Sequence, residues 1–204
     1  MRTANKILGI LALVLFVGAG LAWERSQRII HQYRWIVLEE PIRLEDGFSI
    51  SHPFTVDVAT KYWIEVECRK TVPFETLDHA LNKNLAVEFA VSSGRDRIAF
   101  GDSSEDIGAG YTDYSISRSI TTFDAAPGVS YVLAFRVMAS LPELALTRPV
   151  VKVCIDHLVF KNAFVTASLS AYLAVALAVI GLVCALVFLG SLLFRRRNDK
   201  SRNS

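Results

Sequence analysis

The chain has 204 residues, 52% of them hydrophobic, and a formal net charge of +2. That charge is unevenly spread: Glu24–Lys161 holds 15 basic and 19 acidic residues, so the excess of positive charge belongs to the two ends. A mildly acidic centre of this size supports one hydrophobic core and argues against nucleic acid or an anionic lipid surface as its partner.

The first element is Ile7–Trp23, 17 uncharged residues behind Arg2 and Lys6. That is the short limit for crossing about 30 Å of hydrocarbon. Two readings fit it, a retained anchor and a signal sequence cleaved near Val17–Ala22. The apolar run outlasts the usual signal core of about 7–15 residues, which favours retention. Either reading places the following chain outside the membrane.

Period-two alternation dominates the centre. Phe54, Val56 and Val58 alternate with polar residues, as do Tyr62, Ile64, Val66 and Cys68, then Leu85, Val87, Phe89 and Val91. Ile98 and Phe100 follow a Ser-Ser-Gly turn and are expected to face inward. Further strands are expected at Trp35–Leu38, Ser115–Phe123, Tyr131–Val137 and Val151–Ile155, with one short helix at Phe74–Leu81 and a turn at Pro127-Gly128. Seven or eight short strands with one buried face each imply a mainly β antiparallel sandwich, of jelly-roll or immunoglobulin-like type. The immunoglobulin order of two cysteines around a core tryptophan is missing.

Candidate site residues emerge along this stretch. Trp63 lies out of phase with its strand's core set, beside Glu65 and Glu67; it is either covered by the short helix or a recognition aromatic for a protein or sugar. Cys68 and Cys154 could bridge in an oxidising compartment, but they fall on opposite strand phases. Asp102, Glu105 and Asp106 crowd a glycine-rich loop and offer hard oxygen ligands for calcium, without the order of an EF-hand. Arg118 lies between Ile116 and Ile120, so it either marks a ligand pocket or reaches solvent from an edge strand. The four histidines lack zinc-ligand spacing, and no hydrolase, P-loop or metalloprotease motif accompanies the Ser51-His52 or Asp78-His79 pairs. No cofactor and no catalysis are expected.

Ala163–Phe194 is 32 residues without a charge, followed by Arg195, Arg196 and Arg197. Such a basic cluster stays cytoplasmic, so both termini are expected inside and the centre outside, in the inner membrane of a bacterial envelope. The absence of glycosylation sequons agrees with a periplasmic setting. Small residues recur along this segment at Ala167, Ala171, Ala174, Ala178, Gly181 and Ala185, at spacings of 4, 3, 4, 3 and 4. That stripe lets another helix approach closely, either the first segment or another copy of the chain. The expected function is a non-enzymatic, membrane-anchored binding module whose partner is another protein. An immunity-type protein against a periplasmic or membrane-acting toxin, and a subunit of a larger envelope complex, are the alternatives.

Overall fold

A computed structural model of the chain describes residues 2–71, 73–103 and 108–202, with side chains between Lys6 and Phe194 inside those ranges. Its contacts divide it into two units: the long helices, up to His31 and from Lys161 on, and a β-rich unit, Gln32–Phe160.

The helical unit contains α1 (Arg2–Gln32) and most of α3 (His157–Arg202). Both are long and apolar enough to cross a membrane. Glu24–His31, which the hydrophobicity pattern left in the central domain, continue α1. The two helices touch in antiparallel register. The Cβ position of Gly9 lies 3.6 Å from the Phe188 ring, that of Gly18 lies 3.4 Å from Leu177, and that of Gly181 lies 3.3 Å from Leu15 Cβ. The small-residue stripe is therefore the α3 side of an intramolecular seam. Ala167, Ala174 and Gly181 are buried in it, Ala171, Ala178 and Ala185 are half-buried, and Ala12, Ala19 and Ser26 of α1 face them. Within the single chain, the first segment lies against the stripe.

This seam makes a direct prediction. Gly181→Ile pushes a branched side chain against Leu15 and the Ala12 carbonyl, which lies 3.5 Å from the Cβ position. It should weaken the helix pair by on the order of 1–2 kcal/mol, roughly tenfold in association. Disulfide formation between cysteines placed at Ala19 and Ala174 should fall accordingly, while Leu182→Ile, on the exposed side of α3, should change nothing.

In the β-rich unit nine strands among the described residues form two antiparallel sheets. One is ordered β1 (Ile36–Pro41), β9 (Val150–Ile155), β3 (Thr60–Arg69), β7 (Ser115–Ala125) and β6 (Ala109–Tyr111). The other is ordered β2 (Ser49–Thr55), β8 (Ser130–Val137), β4 (Val87–Ser93) and β5 (Asp96–Asp102). The inward phases of both sheets meet in one hydrophobic cluster, including Tyr62, Ile64 and Val66 from the first and Val91, Leu133 and Phe135 from the second. Phe54, Tyr62, Phe123 and Tyr131 form an aromatic group within it, with Phe54 stacked on Tyr131 at 5.5 Å. The turn before β8 depends on Gly128, whose φ of 76° lies in the left-handed region that glycine enters without strain.

Two expectations need correction. Ile98 and Phe100 do not face the core: β5 is the edge of its sheet, and Phe100 is 67% exposed. The phase is inverted because Ala99, opposite Val91, supplies the inward side chain. The short helix α2 (Phe74–His79) does start at Phe74, but it ends in a π-helical turn, Ala80–Asn84, that buries Ala80 and Leu81. In keeping with their opposite phases, Cys68 and Cys154 are both unbridged and lie on opposite faces of the five-stranded sheet, Cys68 across from Ile116 and Cys154 across from Trp63. β6 and a 3-10 turn at Pro142–Thr147 had no sequence signal, being too short to show a period.

Candidate functional site

The outer face of the five-stranded sheet carries a convergent set of polar and aromatic groups. Alternation along β3 puts Trp63, Glu65 and Glu67 on that face. The register sets Glu65 opposite Lys152 of β9 and Ser119 of β7, and Glu67 opposite Ser117. A β-bulge between Ile64 and Glu65 shifts the β7 register by one residue, the usual way a sheet re-aims a side chain. The result is a cleft of about 450 Å³, walled by Trp35, Trp63 and Tyr111 and floored by Glu65, Lys152 and a row of serines. Gly110 of β6 forms part of its rim. A Cβ there would lie 2.5 Å from the Ser117 hydroxyl, so only glycine lets β6 approach β7 this closely with Ser117 in place.

Both indoles are held by the first turn of α3. Trp63 Nε1 donates to Asp156 Oδ2 at 3.2 Å, and Asp156 Oδ1 accepts from the backbone N–H of Leu158 and Val159 at 2.9 and 3.2 Å. Asp156 is thus the cap of α3 and the anchor of Trp63 at once. Partial burial raises its pKa, but the hydrogen bonds from Trp63 and the helix N–H groups outweigh that and hold it below the usual carboxylate value. Trp35 stands edge-on to His157 at 5.4 Å and tilts over Phe160 at 5.1 Å. Trp63 is accordingly a fixed, half-buried wall of the cleft, and α3, not the short helix, secures it.

The charges in the cleft are unequal. Lys152 Nζ donates to Glu67 at 2.9 Å and lies 3.7 Å from Glu39. Burial opposes its charge, but Glu67 and Glu39 more than offset this and raise its pKa. Glu65 receives one hydrogen bond among the described residues, a long one of 3.4 Å from Ser119 Oγ. Burial raises its pKa, the Glu67 charge adds to that, and Ser119, Lys152 and His157 only partly reverse it. Burial also pushes the Cys154 thiol up to about 12 and the Cys68 thiol up to about 11, so neither offers a thiolate.

The other candidates separate. Arg118 is buried, neither reaching solvent nor lining this cleft. Its guanidinium donates to the carbonyls of Leu81 at 3.1 Å, Leu85 at 3.4 Å and Ser103 at 2.6 Å, tying β7 to the π-helical turn and to the end of β5. It is a fastener of the fold, a correction to the expectation of a ligand-binding arginine. Asp102 ends β5 opposite Glu88, while Glu105 and Asp106 lie outside the described residues. Among the described residues no three His, Cys, Asp or Glu side chains converge as a metal site. Asp78 accepts the Tyr111 hydroxyl at 2.9 Å, and His52 Nδ1 faces Glu40 at 3.2 Å, while Ser51 and His52, adjacent on β2, point to opposite faces of their sheet. A second, larger concavity of about 840 Å³ lies over the four-stranded sheet, floored by Ser51, Ala90 and Ala134 with Phe100 at its edge. It is more open, and its charged groups, Glu88, Arg97, Asp102 and Arg136, stand around a floor of small residues with no indole wall.

The sequence singled out Trp63 with Glu65 and Glu67 beside it, but not Lys152 or Trp35 as their companions. The out-of-phase polar positions of β3 and β9 carried the signal, but pairing them needed the register.

No family model matches the chain, and no curated protein does. A protein of Sulfurospirillum deleyianum with a known crystal structure is similar to it at 11% identity and a TM-score of 0.44, over 59% of this chain and 97% of that one. A likeness at that level bears on neither ligand nor activity.

Proposed function

We propose that this protein is a membrane-anchored, non-enzymatic binding module, with the β-rich domain presented outside the inner membrane and both termini in the cytoplasm. The observation that carries the binding reading is the cleft: two fixed indoles over half-buried charges, one of which lacks an ionic partner among the described residues. Fixed aromatics with a few convergent polar groups are the usual make-up of a ligand site. The partner we favour is another protein. The strand order, with β1, β2, β3 and β4 falling in alternate sheets and β9 returning beside β1, supports the jelly-roll form of the sandwich. That form hosts many functions, so the reading rests on the site.

Anchoring is supported by the helical unit. Large apolar side chains such as Leu13, Val17, Leu21, Val179, Val183 and Leu186 are more than half exposed around α1 and α3, which only lipid or a comparable apolar medium satisfies. The seam joins α1 to α3 through Gly9, Ala12 and Leu15 and also through Gly18 inside Val17–Ala22, which favours a retained first helix over a cleaved one. The Arg195–Arg197 cluster sets the direction. A reporter active only in the periplasm should work when inserted in the domain, for instance after Gly94, and fail when fused at Ser204. The reverse pattern would overturn the orientation.

The cleft is tested by a photoreactive residue placed at Ser117 in the full chain in its membrane. It should yield a discrete adduct that Trp63→Ala suppresses at least tenfold. Adducts from Ser51, in the larger concavity, with none from Ser117, would move the binding site to the other sheet.

A further inference from the structure

The cleft has a charge sign and a depth, and together they specify its occupant. Glu39, Lys152 and Glu65 stand opposite one another across β1, β9 and β3, with Glu67 one step along. Three carboxylates therefore share one ammonium. That ammonium is engaged by Glu67 and Glu39, which leaves Glu65 with a single long bond from the Ser119 hydroxyl among the described residues. A half-buried carboxylate without a strong donor is costly, and a cation from outside would remove that cost. Trp63, two residues along the same face of β3, and Trp35 offer indole faces, the best aromatic partners for a cation.

We propose that the cleft seats a lysine or arginine side chain from an extended segment of the partner protein, its cationic head on Glu65 and its aliphatic stem against the Trp63 indole. A long stem with a charged tip suits a carboxylate at the floor of a cleft, since the stem buries along apolar walls while the tip reaches the floor. Ser117 and Ser119 supply hydroxyl acceptors for the remaining N–H groups. The proposal rests on the cleft being the ligand site, and it adds the sign and class of the ligand.

The pH dependence follows with a definite sign. The groups facing Glu65 are Glu67 on its own strand, Lys152 and Cys154 on β9, Glu39 on β1 and His157 at the start of α3. The Glu65 pKa is raised in the free protein. A bound cation favours the ionised form, so binding at mildly acidic pH should release a proton. Affinity should be full at neutral pH and fall as the pH drops through the raised pKa of Glu65, sooner than an ordinary carboxylate would dictate.

The test uses the full chain in lipid nanodiscs and the hexapeptide Gly-Ser-Lys-Lys-Ser-Gly beside its twin acetylated on both lysine side chains, with binding read by tryptophan fluorescence and calorimetry. The charged peptide should bind at least tenfold more tightly than the acetylated one. Glu65→Gln should abolish that preference and its acid sensitivity, while Glu88→Gln on the other sheet should leave both unchanged. Equal binding of the two peptides, or a preference that survives Glu65→Gln, would overturn the proposal. So would binding of a neutral N-acetylglucosamine tetramer with no binding of the charged peptide, which would assign the cleft to a glycan. Adducts from Ser117 that persist when no charged peptide binds would refute the charge assignment and leave the cleft itself standing.

Discussion

Phe135→Ala is expected to destabilise the β-rich domain by about 3–5 kcal/mol, the range for truncating a buried phenylalanine. Phe135 is 1% exposed, lies between Ile50 of β2 and Phe89 of β4, and sits where the inward faces of both sheets meet. Its removal leaves a cavity that two hydrogen-bonded neighbour strands cannot collapse into. Glu88→Ala, one residue out of phase with Phe89 and exposed, should change stability by no more than about 0.5 kcal/mol. Urea denaturation of the detergent-solubilised chain, followed by tryptophan fluorescence, measures both. Comparable losses for the two variants would mean that the strand phase is wrong.

Arg118→Leu should cost about 2–5 kcal/mol, even though leucine is apolar and the site is buried. The substitution strands the carbonyls of Leu81 and Ser103, each worth roughly 1–3 kcal/mol when left without a donor in a buried place. Leu85 O suffers less, because the Ser103 hydroxyl also donates to it at 2.6 Å. Arg118→Lys should rescue only part of the loss, since one ammonium cannot reproduce a planar fork that reaches the π-helical turn and Ser103 together. The distinguishing readout is hydrogen exchange: amides of Leu81–Val87 should lose protection in Arg118→Leu before the rest of the domain. Uniform loss across both sheets would place the arginine's role elsewhere.

Ser119 and Arg118 are adjacent on β7, yet one faces the cleft and the other the interior. That is the two-residue period of a strand at work, and it was readable: Arg118 shares the phase of Ile116 and Ile120. The unreadable part was what met it there. Three backbone carbonyls from residues 15 to 37 positions away form its cradle, and carbonyl positions leave no mark on side-chain chemistry.

Composition and periodicity determined a good deal without structure. Charge-free runs of sufficient length marked the two long helices, because helical rise and hydrocarbon thickness fix the number of residues needed. Alternation marked six of the nine strands among the described residues, because burial of one sheet face forces a period of two, and β1 and β7 showed it less regularly. Opposite phases told Cys68 from Cys154. The tertiary structure alone decided three things. The small-residue stripe of α3 meets α1, a contact that a one-dimensional pattern does not locate. Ile98 and Phe100 turn outward, because β5 ends its sheet and an edge strand need not obey the burial rule of a central one. And Trp63, Glu65 and Lys152 share one cleft, because strands distant in sequence become neighbours only through their hydrogen-bond register, which depends on the energy of the whole sheet.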